Sequence, residues 1–407
     1  MRAAPKGMRL HIGIFGRRNC GKSSLINRLA HRDVSIISDK PGTTTDPVDK
    51  IMEMLPIGPV VLIDTAGIDD IGELGSLRIE ATNKVINRID VGLIMFCGED
   101  WGEPEELLLR ELKARKASVI AVANKCDIEP PATSLVVDLG QRGIPLVLTS
   151  VKNNTGMNAL RRALVESVPA DYLENPTILS DVVPKGETVV LVMPIDKETP
   201  RGRLILPEVQ TIRDLLDTGA VTLTVRETEY VQALERLVRP PYLVVTDSQA
   251  FEFVASKTPS DVMLTSFSIV YARMKGDLDA LAEGAEAIDH LHAGDRVLIS
   301  EHCTHHPIEQ DIGRVKLPNW ITERVGQPLN FDHVRGHDFP TDLSKYQLVV
   351  HCGACTANRR EILSRILACK SARVPITNYG MAIAYCHGIL DRAMKVFRQE
   401  RKQCQSA

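Results

Sequence analysis

The run Gly16-Arg17-Arg18-Asn19-Cys20-Gly21-Lys22-Ser23 constrains this chain more than any other feature. It matches G-x-x-x-x-G-K-[ST] and lies between the apolar run HIGIF and a helical pattern, the setting of a phosphate loop on a parallel sheet. Glycines there let backbone N–H groups turn inward around phosphates. Lys22 neutralises the β and γ oxygens, and Ser23, followed by Ser24, offers a hydroxyl to magnesium. A glycine-rich turn with a surface lysine would satisfy the same pattern, so the later motifs decide. Asp64-Thr65-Ala66-Gly67 follows PVVLI and sets a carboxylate near the magnesium position, with the Gly67 N–H beyond it to sense the γ-phosphate. Asn124-Lys125-Cys126-Asp127 ends SVIAVA, where the Asp127 carboxylate accepts both N–H groups of a guanine edge, a donor pair that adenine lacks.

Around this frame, short apolar runs alternate with helical patterns along nearly all of the 407 residues. The fold class expected is α/β, with an N-terminal P-loop domain and two further α/β domains with parallel sheets. HIGIF, PVVLID, VGLIMFC, SVIAVAN and PLVLTS predict a GTP-binding domain over 1–168, and the proline-rich, aperiodic stretch 169–187 predicts a linker. VVLVM, VTLTV, YLVVT and VMLTSF, with helices starting near Pro207, Glu227 and Ser248, predict a second parallel sheet over 188–267. RVLIS, QLVVH and VPITN predict a third domain over 268–407, framed by a long helix from Ser268 to His292 and a terminal one from Met381 to Glu400. With 44% hydrophobic and 25% charged residues the chain is neither disordered nor fibrous. A net charge of -3 offers no chain-wide basic surface to nucleic acid or anionic lipid. No apolar run reaches the roughly 18 residues of a membrane helix. Only about eight residues precede the first strand, too few for a signal or transit peptide. The expectation is a cytoplasmic protein with no membrane or nucleic-acid partner.

The nucleotide motifs resemble those of the translation-factor-like GTPases over roughly residues 8 to 168. Within them, the group including Era and the tRNA-modification GTPases shares Asn19 and the run Pro41-Gly42-Thr43-Thr44. Thr149-Ser150-Val151-Lys152 resembles the Ser-Ala-Lys turn that contacts the base, with Val in place of Ala. The resemblance implies that Thr44 closes over magnesium beside Ser23 and Asp64, making Lys22, Thr44 and Gly67 the catalytic set. It also implies that Asn19 lets potassium stand in for an arginine finger; the plainer role of Asn19 is to cap the loop. Ile68 occupies the position where Ras-like proteins carry the water-orienting glutamine, so intrinsic hydrolysis should be slow.

Nine cysteines are too sparse for a disulfide framework, yet Cys303-Thr304-His305 follows RVLIS and His351-Cys352-Gly353-Ala354-Cys355 follows QLVV. If those strands are parallel, their carboxyl ends share one edge, and the thiols converge where α/β sheets hold ligands. A helix predicted from Asn358 to Ala368 would aim its N-terminus near them. Spacing alone leaves structural zinc, an iron-sulfur cluster and unrelated thiols open. Cys20, Cys97, Cys126, Cys369, Cys386 and Cys404 are isolated and read as packing or surface thiols.

The pattern Cys-x-His, a long gap, then His-Cys-x-x-Cys behind a GTPase domain resembles the HydF family, the maturation GTPases of iron-only (FeFe) hydrogenase. TPRGRLILPEVQ at 199–210, DIGRVKLP at 311–318 and VPITNYG at 374–380 extend the resemblance over nearly the whole chain. It implies a dimerisation domain, hence a homodimer, and a cluster domain holding a 4Fe-4S centre on Cys303, Cys352 and Cys355. His305 and His351 are the first candidates for the fourth ligand, ahead of Glu301, His302 and His306. It further implies a scaffold that carries a diiron precursor to apo-hydrogenase, with carbon monoxide and cyanide chemistry left to radical-SAM partners. The radical-SAM spacing Cys-x-x-x-Cys-x-x-Cys is missing from this chain. Two other readings remain: a ribosome- or tRNA-associated GTPase, and a GTPase switch with a structural zinc.

Overall fold

The computed structural model describes residues 6–30, 48–65, 67–68, 82, 84–169, 172, 177–195, 204–302 and 311–404; Thr44, Cys303, His305 and His306 lie outside them. The chain divides into two compact units between Asn175 and Pro176, inside the stretch 169–187.

In the first unit, β1 (Leu10–Gly16), β2 (Val48–Met54), β3 (Gly58–Asp64), β4 (Val91–Cys97), β5 (Ser118–Asn124) and β6 (Leu146–Leu148) form one sheet in the order β2-β3-β1-β4-β5-β6. All pairings are parallel except β2 with β3. The central strands read as unbroken apolar runs because both faces are covered. Leu10, Ile12 and Ile14 pack with Leu25, Ile26 and Leu29 of α1 (Lys22–Ala30). Phe15, Ile63 and Ile94 pack on the other face with Leu108, Leu109 and Leu112 of α2 (Glu103–Ala114). Strand β2 adds to the strands expected from the sequence, and its VDKIMEM mixes charged and apolar residues as an edge strand does.

The second unit holds two four-stranded sheets, all parallel. One contains β7 (Thr188–Val192), β8 (Val221–Val225), β9 (Leu243–Thr246) and β10 (Met263–Ser266) in the order β10-β9-β7-β8. The other contains β11 (Arg296–Glu301), β12 (Asn330–Arg335), β13 (Leu348–His351) and β14 (Ile376–Asn378) in the order β12-β11-β13-β14. Counted from its first strand each sheet has the same order, 2-1-3-4, with the reversal of direction between its first and third strands. The half-exposed β12, NFDHVR, escaped the sequence reading.

The expected long helix after Ser268 is two helices, α3 (Phe267–Lys275) and α4 (Leu278–Glu286), because Gly276 turns extended and Asp277 caps the next start through its bond from the Ala280 N–H (3.1 Å). The expected terminal helix breaks likewise at Gly388, in the left-handed region at φ 70°, into α5 (Tyr379–Cys386) and α6 (Leu390–Cys404). These are equivalent breaks. Val262, Thr265, Gly276, Leu278 and Asp279 recur at one constant spacing as Val374, Thr377, Gly388, Leu390 and Asp391. Ser266 caps α3 by accepting from the Ile269 N–H, and Asn378 caps α5 by accepting from the Met381 N–H.

The arms that follow are exchanged. Helix α4 leaves the first sheet and packs on β14 of the second, so closely that a Cβ on Gly284 would stand 1.9 Å from Ile376 O. Helix α6 leaves the second sheet and packs on β10 of the first, where Arg392 donates to the carbonyls of Ala255 (3.1 Å) and Thr258 (3.0 Å).

Candidate functional site

The phosphate loop runs from the end of β1 into α1. Lys22 is buried and its Nζ donates to Gly16 O and Arg17 O, both at 2.8 Å, so the ammonium lies across the loop. Arg17 gives its side chain to Glu105 of α2 in a two-pronged pair (2.9 and 3.0 Å), and Glu105 is fully buried. This anchor carried no sequence signal, since a single glutamate on a helix has no diagnostic spacing. Asn19 is exposed with φ 58°, a left-handed conformation that asparagine tolerates.

Ser23 Oγ donates to Asp64 Oδ2 at 2.7 Å, while Asp64 Oδ1 is buried with no hydrogen-bond partner. A hydroxyl beside an unpaired buried carboxylate oxygen is a donor set suited to magnesium. The Ile68 N–H donates to Gly16 O (3.3 Å), which brings Ile68, just after Gly67, against the loop. Asn124 is the hub of the base side. Its Nδ2 donates to Cys20 O (2.8 Å), and its Oδ1 accepts from Thr149 Oγ1 and the Val151 N–H (both 3.2 Å), joining the loop, β5 and the 149–152 turn. A Cβ on Gly21, φ 99°, would stand 2.4 Å from Asn124 Nδ2, so the loop needs glycine there. Ser150 is buried beneath the turn, Val151 is half-buried, and Ser24, Arg18, Lys125, Asp127 and Lys152 are exposed.

His302, the residue before the first cysteine motif, meets the second motif at the carboxyl edge of the last sheet. Ser300 of β11 is in register with His351 of β13, so the residues that follow each strand are neighbours. The His302 N–H donates to Cys352 Sγ (3.2 Å), as does that of Ala354 (3.4 Å). Ala354 takes φ 46°, strain that folds the Cys-Gly-Ala-Cys loop back on itself. Burial, with Cys352 beside it, pushes the Cys355 thiol up to about 11, and the nearby Lys275 ammonium opposes that shift.

Lys275 ends α3, is buried, and donates from Nζ to Ala354 O (3.1 Å), Cys355 O (2.9 Å) and Ala357 O (2.9 Å). It therefore ties the loop to the helix leaving the first four-stranded sheet. Lys275 closes FSIVYARMK two residues after Arg273, so nothing in the sequence sets it apart from an ordinary basic residue in a helix's last turn. The helix Arg359–Ala372 starts at the Asn358 cap beyond the loop. His351 is buried, its Nδ1–H donates to Cys352 O (2.6 Å), and its Nε2 has no hydrogen-bond partner. Burial and the Arg365 charge push this imidazole down to about 4, so it stays neutral. Glu301 is buried and accepts from Tyr379 O–H and Arg335 Nε (both 3.3 Å).

Two thiols on a short loop, one of them accepting backbone N–H bonds, with a buried ammonium beneath, suit an anionic metal-thiolate group. In the sequence Cys303 follows His302. Burial likewise pushes the thiols of Cys369 and Cys386 up to about 12 and that of Cys97 to about 11.

Three family models match the chain: a 50S ribosome-binding GTPase at residues 11–125, the hydrogen maturase F dimerization domain at 178–276 and the hydrogen maturase F tetramerization domain at 279–396. Curated relatives include the tRNA modification GTPase MnmE of Bacillus subtilis (strain 168), 31% identical over 189 residues, covering 43% of this chain and 40% of that protein. MnmE of Syntrophotalea carbinolica is 36% identical over 188 residues, covering 45% and 37%. The chain thus spans about two fifths of these relatives. Among solved structures, the G domain of Thermotoga maritima FeoB aligns with TM-score 0.32 and 21% identity over 40% of this chain and 99% of that one. An Era variant from Aquifex aeolicus aligns with TM-score 0.34 and 18% identity over 53% and 92%. Two successive hydrogen maturase F domains behind a GTPase domain fill most of the sequence, and the chain belongs to the hydrogen maturase F family, with an N-terminal GTPase domain similar to that of MnmE.

Proposed function

We propose that this protein is a GTP-hydrolysing scaffold and carrier in the maturation of FeFe-hydrogenase. In this reading Cys303, Cys352 and Cys355 hold a 4Fe-4S cluster, a diiron precursor is the cargo, and apo-hydrogenase receives it. The observation that carries it is the meeting of His302 with Cys352 at the edge shared by β11 and β13, over a loop tied down by Lys275. Bound there, the cluster would offer an iron with an exchangeable ligand, with His305 or His351 as candidates for that position. Lys275 and the N–H donors to Cys352 would offset the thiolate charge. The radical-SAM maturation enzymes are the proposed source of the precursor. Iron and labile-sulfide analysis of anaerobically purified protein tests the reading; zinc in place of iron would replace it with a structural-zinc switch. The MnmE matches span less than half of the chain, so they bear on its nucleotide chemistry and give the tRNA reading no support in the two later domains.

In the GTPase domain, Lys22 would neutralise the transferred phosphoryl group, with Ser23, Asp64 and Thr44 holding magnesium. We assign Asn19 to potassium. GTP hydrolysis should run several-fold faster in potassium than in sodium at matched ionic strength. The difference should vanish in Asn19→Gly, which keeps the left-handed backbone and removes the carboxamide. Equal wild-type rates in the two salts would remove the assignment.

Among the described residues, the sheet of the family's dimerization domain ends at β8, which pairs with β7 on one side only. The Val221 N–H donates to Glu187 O and Val225 O accepts from the Met193 N–H, both toward β7, so Thr222 and Thr224 turn their backbone groups outward. This edge is our proposed dimer contact. Thr222→Pro removes an outward N–H without breaking a bond to β7 and should halve the mass of the full chain in light scattering. An unchanged mass would rule out pairing through β8.

A further inference from the structure

Beside the thiols stands a group of side chains of the types that ligate metals. Among the described residues, His302, His337 and Glu361 bring two imidazole nitrogens and a carboxylate oxygen within 4.8 Å of one another. His302 follows β11, His337 follows β12, and Glu361 lies in the first turn of the helix Arg359–Ala372, so three separate elements converge. Glu361 Oε1 is 3.0 Å from His337 Nδ1 and 3.4 Å from His302 Nδ1. The two imidazole rings cross at 80° with centroids 5.0 Å apart.

Burial supports a site. The side chains of His302 and Glu361 are 8% and 7% exposed, and His302 Nδ1 is buried without a hydrogen-bond partner. His337, at 39%, leaves an entry from solvent. Arg365 donates to Glu361 Oε1 (2.9 Å) and to Gly336 O (2.8 Å), fixing both the carboxylate and the turn that presents His337.

We infer that His302, His337 and Glu361 form a binding site for a divalent transition-metal ion, separate from the cysteine site. Ligands about 2.1 Å from a tetrahedral ion lie about 3.4 Å apart, close to the two separations from Glu361. Two histidines and one carboxylate suit iron(II) or zinc and leave coordination positions for water or a substrate. The site does not depend on what the cysteines hold. It shares their sheet edge, since the backbone of His302 donates to Cys352 Sγ.

The test is anaerobic cobalt(II) titration of the full chain after removal of loosely bound metal. Wild-type protein should bind one equivalent more than His337→Ala or Glu361→Gln at the same free cobalt. The difference spectrum should show d–d bands without sulfur charge transfer, and the variants' affinity for that equivalent should fall at least tenfold. Cys352→Ser should keep the equivalent, as should His292→Ala, a change at an exposed histidine. Circular dichroism checks that each variant is folded; His337 is the most exposed of the three, so its variant is the primary one. Identical stoichiometry, affinity and spectra in wild type and folded His337→Ala would overturn the site and leave only a hydrogen-bonded network. An extra equivalent lost in Cys352→Ser but kept in His337→Ala would overturn it too, because that ion would belong to the thiols.

Discussion

Lys22→Ala is expected to cut GTP hydrolysis at least a hundredfold while leaving cluster content unchanged. The Nζ that lies across the loop at 2.8 Å from Gly16 O and Arg17 O is the positive charge available to the β and γ oxygens from inside the loop. Removing a charged, preorganised donor of this kind costs about 3 kcal/mol of transition-state stabilisation, about a factor of one hundred in rate. The loop should keep its shape, because Arg17 remains anchored on Glu105 and Asn124 on Cys20 O. Single-turnover hydrolysis measured alongside iron and sulfide content checks the expectation. A rate within tenfold of wild type would show that Lys22 is not the phosphoryl-neutralising group.

The reciprocal result is expected from Cys352→Ser and Cys355→Ser, with Cys303→Ser alongside. Serine is a harder and much less acidic ligand than cysteine, so the cluster should be lost or labile, with iron and labile sulfide below about a tenth of wild type. GTP hydrolysis should persist, since the phosphate loop and the thiols lie in different compact units. On the proposed carrier reading both classes of variant should fail to activate apo-hydrogenase, because delivery would require a loaded scaffold and a working switch together. Wild-type iron and sulfide in all three serine variants would overturn the cluster assignment, and the carrier reading with it.

Contiguous motifs and doubly covered strands were legible in the sequence. The phosphate loop, Asp64 and Asn124 stand in short runs whose flanking strands advertise themselves by unbroken apolar stretches, and the structure gathers them around one loop. The parallel pairing of the strands that precede the two cysteine motifs was legible, and it brings His302 to Cys352, while Cys303 and Thr44 fall outside the described residues. Half-exposed β2 and β12 were hidden by their mixed polarity. Gly276 and Gly388 each sit in a pattern that a continuous helix would also satisfy, and the bond from Ala280 to Asp277 is visible only in three dimensions. Lys275, His337 and Glu361 were hidden for another reason: each is a lone polar residue whose partners come from other elements, so no spacing marks it. The doubling of the four-stranded sheet was missed because its identities are few and far apart.

The exchange of helices between those sheets gives the C-terminal half the architecture of an arm-swapped dimer whose two members share a single chain. Each lobe completes its core with the other's tail, so the junction near Gly276, which separates two family domains in sequence, is no seam in folding. Neither lobe can be cut away without stripping a helix from its sibling. Lys275 extends that interdependence to chemistry, because the strand and helix that complete the first lobe end in the ammonium that holds the thiol loop of the second. The thiol loop and the two assembly domains thereby belong to one cooperative body, and by linkage any free energy that a ligand at the loop exerts on assembly is returned in equal measure.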